Sequence, residues 1–116
     1  MSLSGAHRAA FRREVPREGR VFSIRDERGF PVPMGADGTR ALPFWSMSTR
    51  ATKVLDQVAA YRGFEVVEIG VDDWLERWLP GLDRDGYLVG INWAGARASG
   101  YDMSPAQVIG WFVEAP

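Results

Sequence analysis

Apolar positions alternate between two rhythms along this chain, and the alternation predicts most of its elements. Leu3, Ala6, Ala10, Phe11 and Val15 recur at a loose helical spacing that Pro16 and Gly19 close. Residues 20–25, RVFSIR, read as a strand. Asp26-Glu27-Arg28-Gly29 is a turn into GFPVPM, and the pair reads as an N-terminal β-hairpin. Pro31 and Pro33 are two apart, so their missing N–H groups fall on one side, and this second strand is expected at an edge or only half paired. After the turn at residues 35–38, residues 40–45, RALPFW, form a third short strand.

The second half is more regular. Ala51, Val54, Leu55, Val58 and Tyr61 share one face of a helix predicted over residues 48–62, with Ser48 or Thr49 as its N-cap and Gly63 ending it. FEVVEIGV is apolar on both faces, which suits a central strand. Trp74, Leu75, Trp78, Leu79 and Leu82 define a third helix, with Asp72, Asp73 and Glu76 at its positive end and Pro80-Gly81 expected to stop it. Asp83-Arg84-Asp85-Gly86 turns into the strand YLVGINW. Ser104-Pro105-Ala106-Gln107 matches a capping box with proline at the first helical position, opening a last helix through Val108, Ile109, Trp111 and Phe112.

The predicted order is α-β-β-β-α-β-α-β-α. The later strand–helix–strand steps are long enough for right-handed crossovers between parallel neighbours. The expected fold is α+β, a mixed five-stranded sheet with an N-terminal β-hairpin and about four helices packed on it. At 116 residues, one domain over residues 1–116 is expected.

Composition narrows the chemistry. There is no cysteine, which excludes disulfides and thiolate chemistry and makes the cytoplasm the expected location. His7 is the only histidine, so histidine-rich metal sites are excluded, and neither a metal nor a cofactor is expected. A net charge of −1 argues against nucleic acid as the partner. No apolar run reaches the ~18 residues of a membrane span, and the start lacks a signal-peptide pattern, so no membrane association is expected. Half of the 14 basic residues lie within residues 1–28, where a solvated helix face is the simplest reading.

The run from LPFW through GFEVVEIGVDDWLERWLPGLDRDGYLVGINW resembles a small bacterial family, domain of unknown function 2750. The pieces that carry the resemblance are Gly29-Phe30, Leu42-Pro43-Phe44-Trp45, Asp72-Asp73, Trp78-Leu79-Pro80-Gly81-Leu82 and Asp85-Gly86, and it extends from Phe11 and Val15 to Ser104-Pro105. Members usually carry Ser or Thr where this chain has Gly70. More distantly, the chain is similar to the N-terminal domain of SseB-type (enhanced serine sensitivity) proteins, in which an LP-aromatic strand leads to a helix and a later strand ends in Asn plus a turn. That similarity implies an interaction module of the kind associated with bacterial effector and toxin–immunity systems. Neither resemblance supplies a catalytic residue.

Several constellations carry candidate chemistry. Asp72 and Glu76 share a helix face with Asp73 nearby, but acids in a first turn are what the helix dipole favours anyway. Residues 83–86 lack the third ligand position and the distal glutamate of a calcium loop. Ser46, Ser48, Thr49, Ser99 and Ser104 have no neighbouring base in sequence. Trp74 and Trp78 read as core.

The stretch INWAGARASGYDMSP, residues 91–105, is the strongest candidate. If RALPFW and YLVGINW are parallel neighbours, Trp45, Asn92 and Trp93 border one crevice, faced by two helix N-termini near Ser48-Thr49 and Ser104. Arg97 could then hold a carboxylate or phosphate. The stretch lacks the Gly-Lys-Ser/Thr and GxGxxG phosphate patterns.

The expected function is therefore a non-enzymatic protein-interaction module, immunity-like in character, with an unidentified protein partner. The alternative is a sensor for a small molecule or anion that uses Trp45, Asn92, Trp93 and Arg97. A helix-mediated homodimer is compatible with the pattern, whereas pairing through the Pro31/Pro33 edge is not.

Overall fold

A computed structural model describes residues 3–35, 37–96 and 98–113. The elements are α1 (Leu3–Glu18), β1 (Arg20–Arg25), β2 (Ala41–Phe44), α2 (Ser48–Gln57), a 3-10 turn (Ala59–Tyr61), β3 (Glu65–Gly70), α3 (Val71–Asp73), α4 (Leu79–Asp85), β4 (Leu88–Ala94), β5 (Ser99–Met103) and α5 (Pro105–Phe112). A π-helical turn, Trp74–Trp78, joins α3 to α4. The class is α+β, as expected, but the five strands form two sheets rather than one. β1 pairs antiparallel with β3; β4 lies between parallel β2 and antiparallel β5. One antiparallel bridge connects the sheets, with the Phe22 N–H donating to the Trp45 carbonyl (2.8 Å) and the Trp45 N–H to the Phe22 carbonyl (2.7 Å).

The identity of the strands also differs from expectation. The N-terminal hairpin is reduced to a single Asp26–Gly29 bridge, and GFPVPM forms no strand. Two prolines leave that segment too few donors for a ladder, and β1 takes β3 as its partner instead. The missing strand is made good by SGYDM, which pairs back on β4 as a hairpin strand. FEVVEIGV is covered on both faces, Val67 packing against one core cluster and Val66 against the other. It is nevertheless paired on one side only and is not central. The central strand is β4, whose Val89 and Ile91 are wholly buried.

Two helix ends depart from the local rules. α2 stops at Gln57, because Val58 is extended, and its N-cap is Met47 rather than Ser48 or Thr49. Pro80-Gly81 does not stop the third helix. The Leu79 N–H reaches back five residues to the Trp74 carbonyl, so the turn before Pro80 is widened. A widened turn accommodates a residue without an N–H, and burial of Leu79 and Leu82 holds the helix together beyond it. It ends at Gly86, whose φ of +77° suits glycine, with the N–H of Gly86 donating to Asp83 and that of Tyr87 to Leu82 in a Schellman arrangement. Gly70, at the N-cap of α3, supplies no side-chain bond.

The larger core cluster joins Phe11 and Val15 of α1 to Phe44, Trp74, Leu79, Ile91 and Val108. Trp74 sits at its centre, its ring within 5.5–6.0 Å of Phe44, Phe11 and Phe112. The smaller cluster holds Ile24, Trp45, Val54 and Trp93. Because β4 contributes to both, its two apolar faces are filled from opposite sides.

Candidate functional site

The parallel pairing of β2 with β4 aligns Phe44 with Ile91 and so brings the ends of both strands together, the arrangement on which the expected crevice depends. Trp45 and Asn92 follow in step. Trp45 is wholly buried, and its indole Nε1 donates to the Trp93 carbonyl at 2.8 Å. Asn92 is 2 % exposed and has a φ of +46°. It lies in a bulge between Ile91 and Ala94, where the pairing with β5 slips. Its amide Nδ2 donates to the Ser46 hydroxyl (3.0 Å) and to the His7 carbonyl (3.2 Å), and its Oδ1 accepts from the Ser46 N–H (3.0 Å).

The Ser46 hydroxyl in turn donates to Glu14 Oε1 at 2.6 Å. Glu14 is 5 % exposed, and Arg50 grips both of its oxygens, Nε at 3.0 Å and Nη2 at 2.8 Å. The Arg50 hydrogen bonds hold the Glu14 carboxyl below its ordinary range against the opposing effect of burial, and the Ser46 bond adds to the lowering. A chain of polar side chains thus runs from α2 through Glu14 and Ser46 to the bulge in β4. No motif in the sequence marks Glu14. The available signal was its position between Phe11 and Val15 on the core-facing side of α1, where an acid needs a partner.

Beside this network lies a cleft of about 80 Å³ bordered by His7, Arg50, Lys53, Asn92, Trp93 and Gly95. Trp93 itself is largely buried, and its ring lies against Gly90, where a Cβ would come within 2.4 Å of it. Its indole Nε1 donates to Asp102 at 2.8 Å. Burial raises the Asp102 pKa; the Trp93 bond opposes that shift, and nearby Asp37 adds to it. Arg97 lies outside the described residues. Between β4 and β5 the Ala98 N–H donates to the Gly95 carbonyl at 3.0 Å. The capping box follows as expected, Gln107 N–H to Ser104 Oγ at 3.2 Å and Ser104 N–H to Gln107 Oε1 at 3.1 Å.

The other candidates stand apart from this region. Asp72, Asp73 and Glu76 are exposed, and Asp73 pairs with Arg77 at 3.3 Å. Residues 83–85 belong to α4 rather than to a loop. No group of three or more potential metal ligands occurs among the described residues. Among the described residues, no helix is long and apolar enough to cross a membrane.

At a second surface the sequence pattern predicts only a solvated helix face. Arg8 and Arg12, one turn apart on α1, border a groove of about 650 Å³ with Arg13, Tyr101 of β5 and Gln107 and Trp111 of α5. The Arg8 guanidinium lies 4.5 Å from the centre of the Tyr101 ring and that of Arg12 5.9 Å from Trp111. Neither arginine pairs with a carboxylate among the described residues. Tyr101 is 38 % exposed, one of the few large apolar side chains so open. This grouping was hidden in the sequence because it depends on β5, which the pattern of small residues concealed.

Residues 8–110 match the model of a protein family described as a protein of unknown function, DUF2750. The chain belongs to this family. The match takes in the buried Glu14–Ser46–Asn92 network and most of the groove, ending one residue before Trp111. No curated protein and no solved structure matches the chain.

Proposed function

We propose that this DUF2750 chain is a non-enzymatic domain that works by binding another protein through the groove between α1, β5 and α5. The observation that supports this is the pair Arg8 and Arg12, each placed over an aromatic ring and free of a carboxylate partner among the described residues. Arginine and exposed aromatic rings are the residues that interfaces favour. The net charge of −1 favours a protein over nucleic acid. The resemblance of Leu42-Pro43-Phe44-Trp45 and of the Asn92 strand end to SseB-type domains supports a bacterial, cytoplasmic setting and an immunity-like role. Affinity capture with the native chain and with Tyr101→Ala, both checked for equal melting temperature, tests the proposal. A discrete partner held by the native chain and lost with Tyr101→Ala is expected; capture that ignores the substitution removes the groove from the account.

A second reading is a sensor for a small anion at the strand ends. It is favoured by the 80 Å³ cleft, where Lys53 stands beside Asn92 and Arg50. That space suits an ion with only a few heavy atoms. Thermal-shift titration with phosphate, sulfate and small carboxylates, on the native chain and on Lys53→Ala and Arg97→Ala, separates the readings. A rise of several degrees that Lys53→Ala abolishes supports the sensor.

A further inference from the structure

The groove continues beyond its cationic end. A second cleft of about 520 Å³ shares Arg12 and Trp111 with it and is lined further by Pro16, Leu75, Phe112 and Val113. One surface therefore passes from three arginines to a mixed floor, where Pro16, Leu75, Phe112 and Val113 stand among exposed polar atoms and Asp72. We infer that its occupant is an acidic segment of a partner protein, in which two carboxylates adjoin an apolar side chain. This rests on the protein-binding role proposed for the same groove and specifies what the partner presents.

The geometry supplies the reasons. Neither Arg8 nor Arg12 spends its N–H donors on a carboxylate among the described residues, so both forks can offer them to a ligand. Two such forks a helical turn apart are separated by about 6 Å along α1, a spacing that carboxylates on same-side residues of an extended or helical peptide can match. Carboxylates accept two parallel bonds from such a fork, so each arginine selects an acid rather than a neutral side chain. The ring beside Arg8 also lowers the freedom that side chain loses on binding. At the far end Leu75, Phe112 and Val113 offer contact to an apolar side chain, and Asp72 would repel a phosphate backbone running along it.

Panning a random dodecapeptide display library on the full chain tests the inference, with Arg8→Glu/Arg12→Glu and Arg8→Gln/Arg12→Gln as comparison variants of verified melting behaviour. The expected result is enrichment of peptides with two acidic residues beside an aromatic or aliphatic one. Their affinity should fall at least tenfold in both variants, and the glutamate variant should itself enrich lysine- and arginine-containing peptides. Neutral enriched peptides that keep their affinity in both variants but lose it in Tyr101→Ala overturn the acidic partner and leave the protein-binding groove standing. Enrichment that ignores Arg8, Arg12 and Tyr101 alike, or no enrichment, overturns both. A single-stranded oligonucleotide that displaces the enriched peptides at lower concentration assigns the groove to nucleic acid and overturns the inference.

Discussion

Arg50 of α2 holds Glu14 of α1 by both carboxylate oxygens, at 3.0 and 2.8 Å, and Glu14 passes the connection through Ser46 to Asn92 in the central strand. Two helices and the sheet are thereby locked by one buried charge. Removing Arg50 leaves that charge without its main partner, and because the Arg50 side chain is 32 % exposed water can replace part of it, so Arg50→Ala should cost about 1–3 kcal/mol, whereas Glu14→Gln, which keeps the shape and loses the charge, should cost less. Urea unfolding of both variants measures the difference.

The same pair makes stability depend on pH. The Glu14 pKa is lowered in the folded chain from its ordinary 4.5, chiefly by the Arg50 hydrogen bonds, so the unfolded chain takes up the proton first as pH falls. The contribution is fully present well above pH 4.5 and is lost as pH drops below it through the folded value. Unfolding midpoints between pH 7 and pH 3 should therefore fall more steeply for the native chain than for Glu14→Gln; parallel curves would show that Glu14 is not the group responsible.

Asn92 combines a left-handed backbone with three hydrogen bonds at the bulge. Glycine there loses the bonds and keeps the backbone unstrained; alanine loses both. Asn92→Ala is expected to be less stable than Asn92→Gly by about 1 kcal/mol. Equal midpoints in urea would mean that the backbone conformation costs nothing at this position.

The indole of Trp93 occupies the space beside Gly90, and a Cβ there would stand 2.4 Å from Cε2 and 2.7 Å from Nε1. The indole ring is a broad rigid plate and its Nε1 is tied to Asp102, so it cannot yield by swinging one atom aside. Gly90→Ala should cost about 1–3 kcal/mol, and more if the ring is expelled. Thermal melting reports the cost, and the Trp93 indole N–H resonance reports whether the bond to Asp102 survives.

Pro80 lies within a continuous helix and faces solvent. If the π turn before it is the accommodation for its missing N–H, Pro80→Ala should leave the helical far-ultraviolet signal intact and the melting temperature unchanged or higher. A marked drop in melting temperature would mean that Trp74 and Leu79 themselves demand the widened turn.

What was legible in the sequence was whatever short-range periodicity and turn chemistry determine. RVFSIR, the capping box at Ser104 and Gln107 and the two-sided burial of YLVGINW all follow from patterns a few residues long. Family membership, carried by pieces such as Leu42-Pro43-Phe44-Trp45 and Trp78-Leu79-Pro80-Gly81-Leu82, was legible in the same way. The tertiary structure decided what local rules leave open. Burial of Leu79 and Leu82 carried a helix through Pro80-Gly81, two prolines forfeited a strand, and the small-residue run at 99–103 became one because β4 had an edge to fill. The polar network and the groove belong to this second kind. Glu14 meets Asn92 through Ser46, and Arg8 meets Tyr101, across separations at which a sequence specifies no contact until the backbone has folded and burial has chosen which polar groups must find partners.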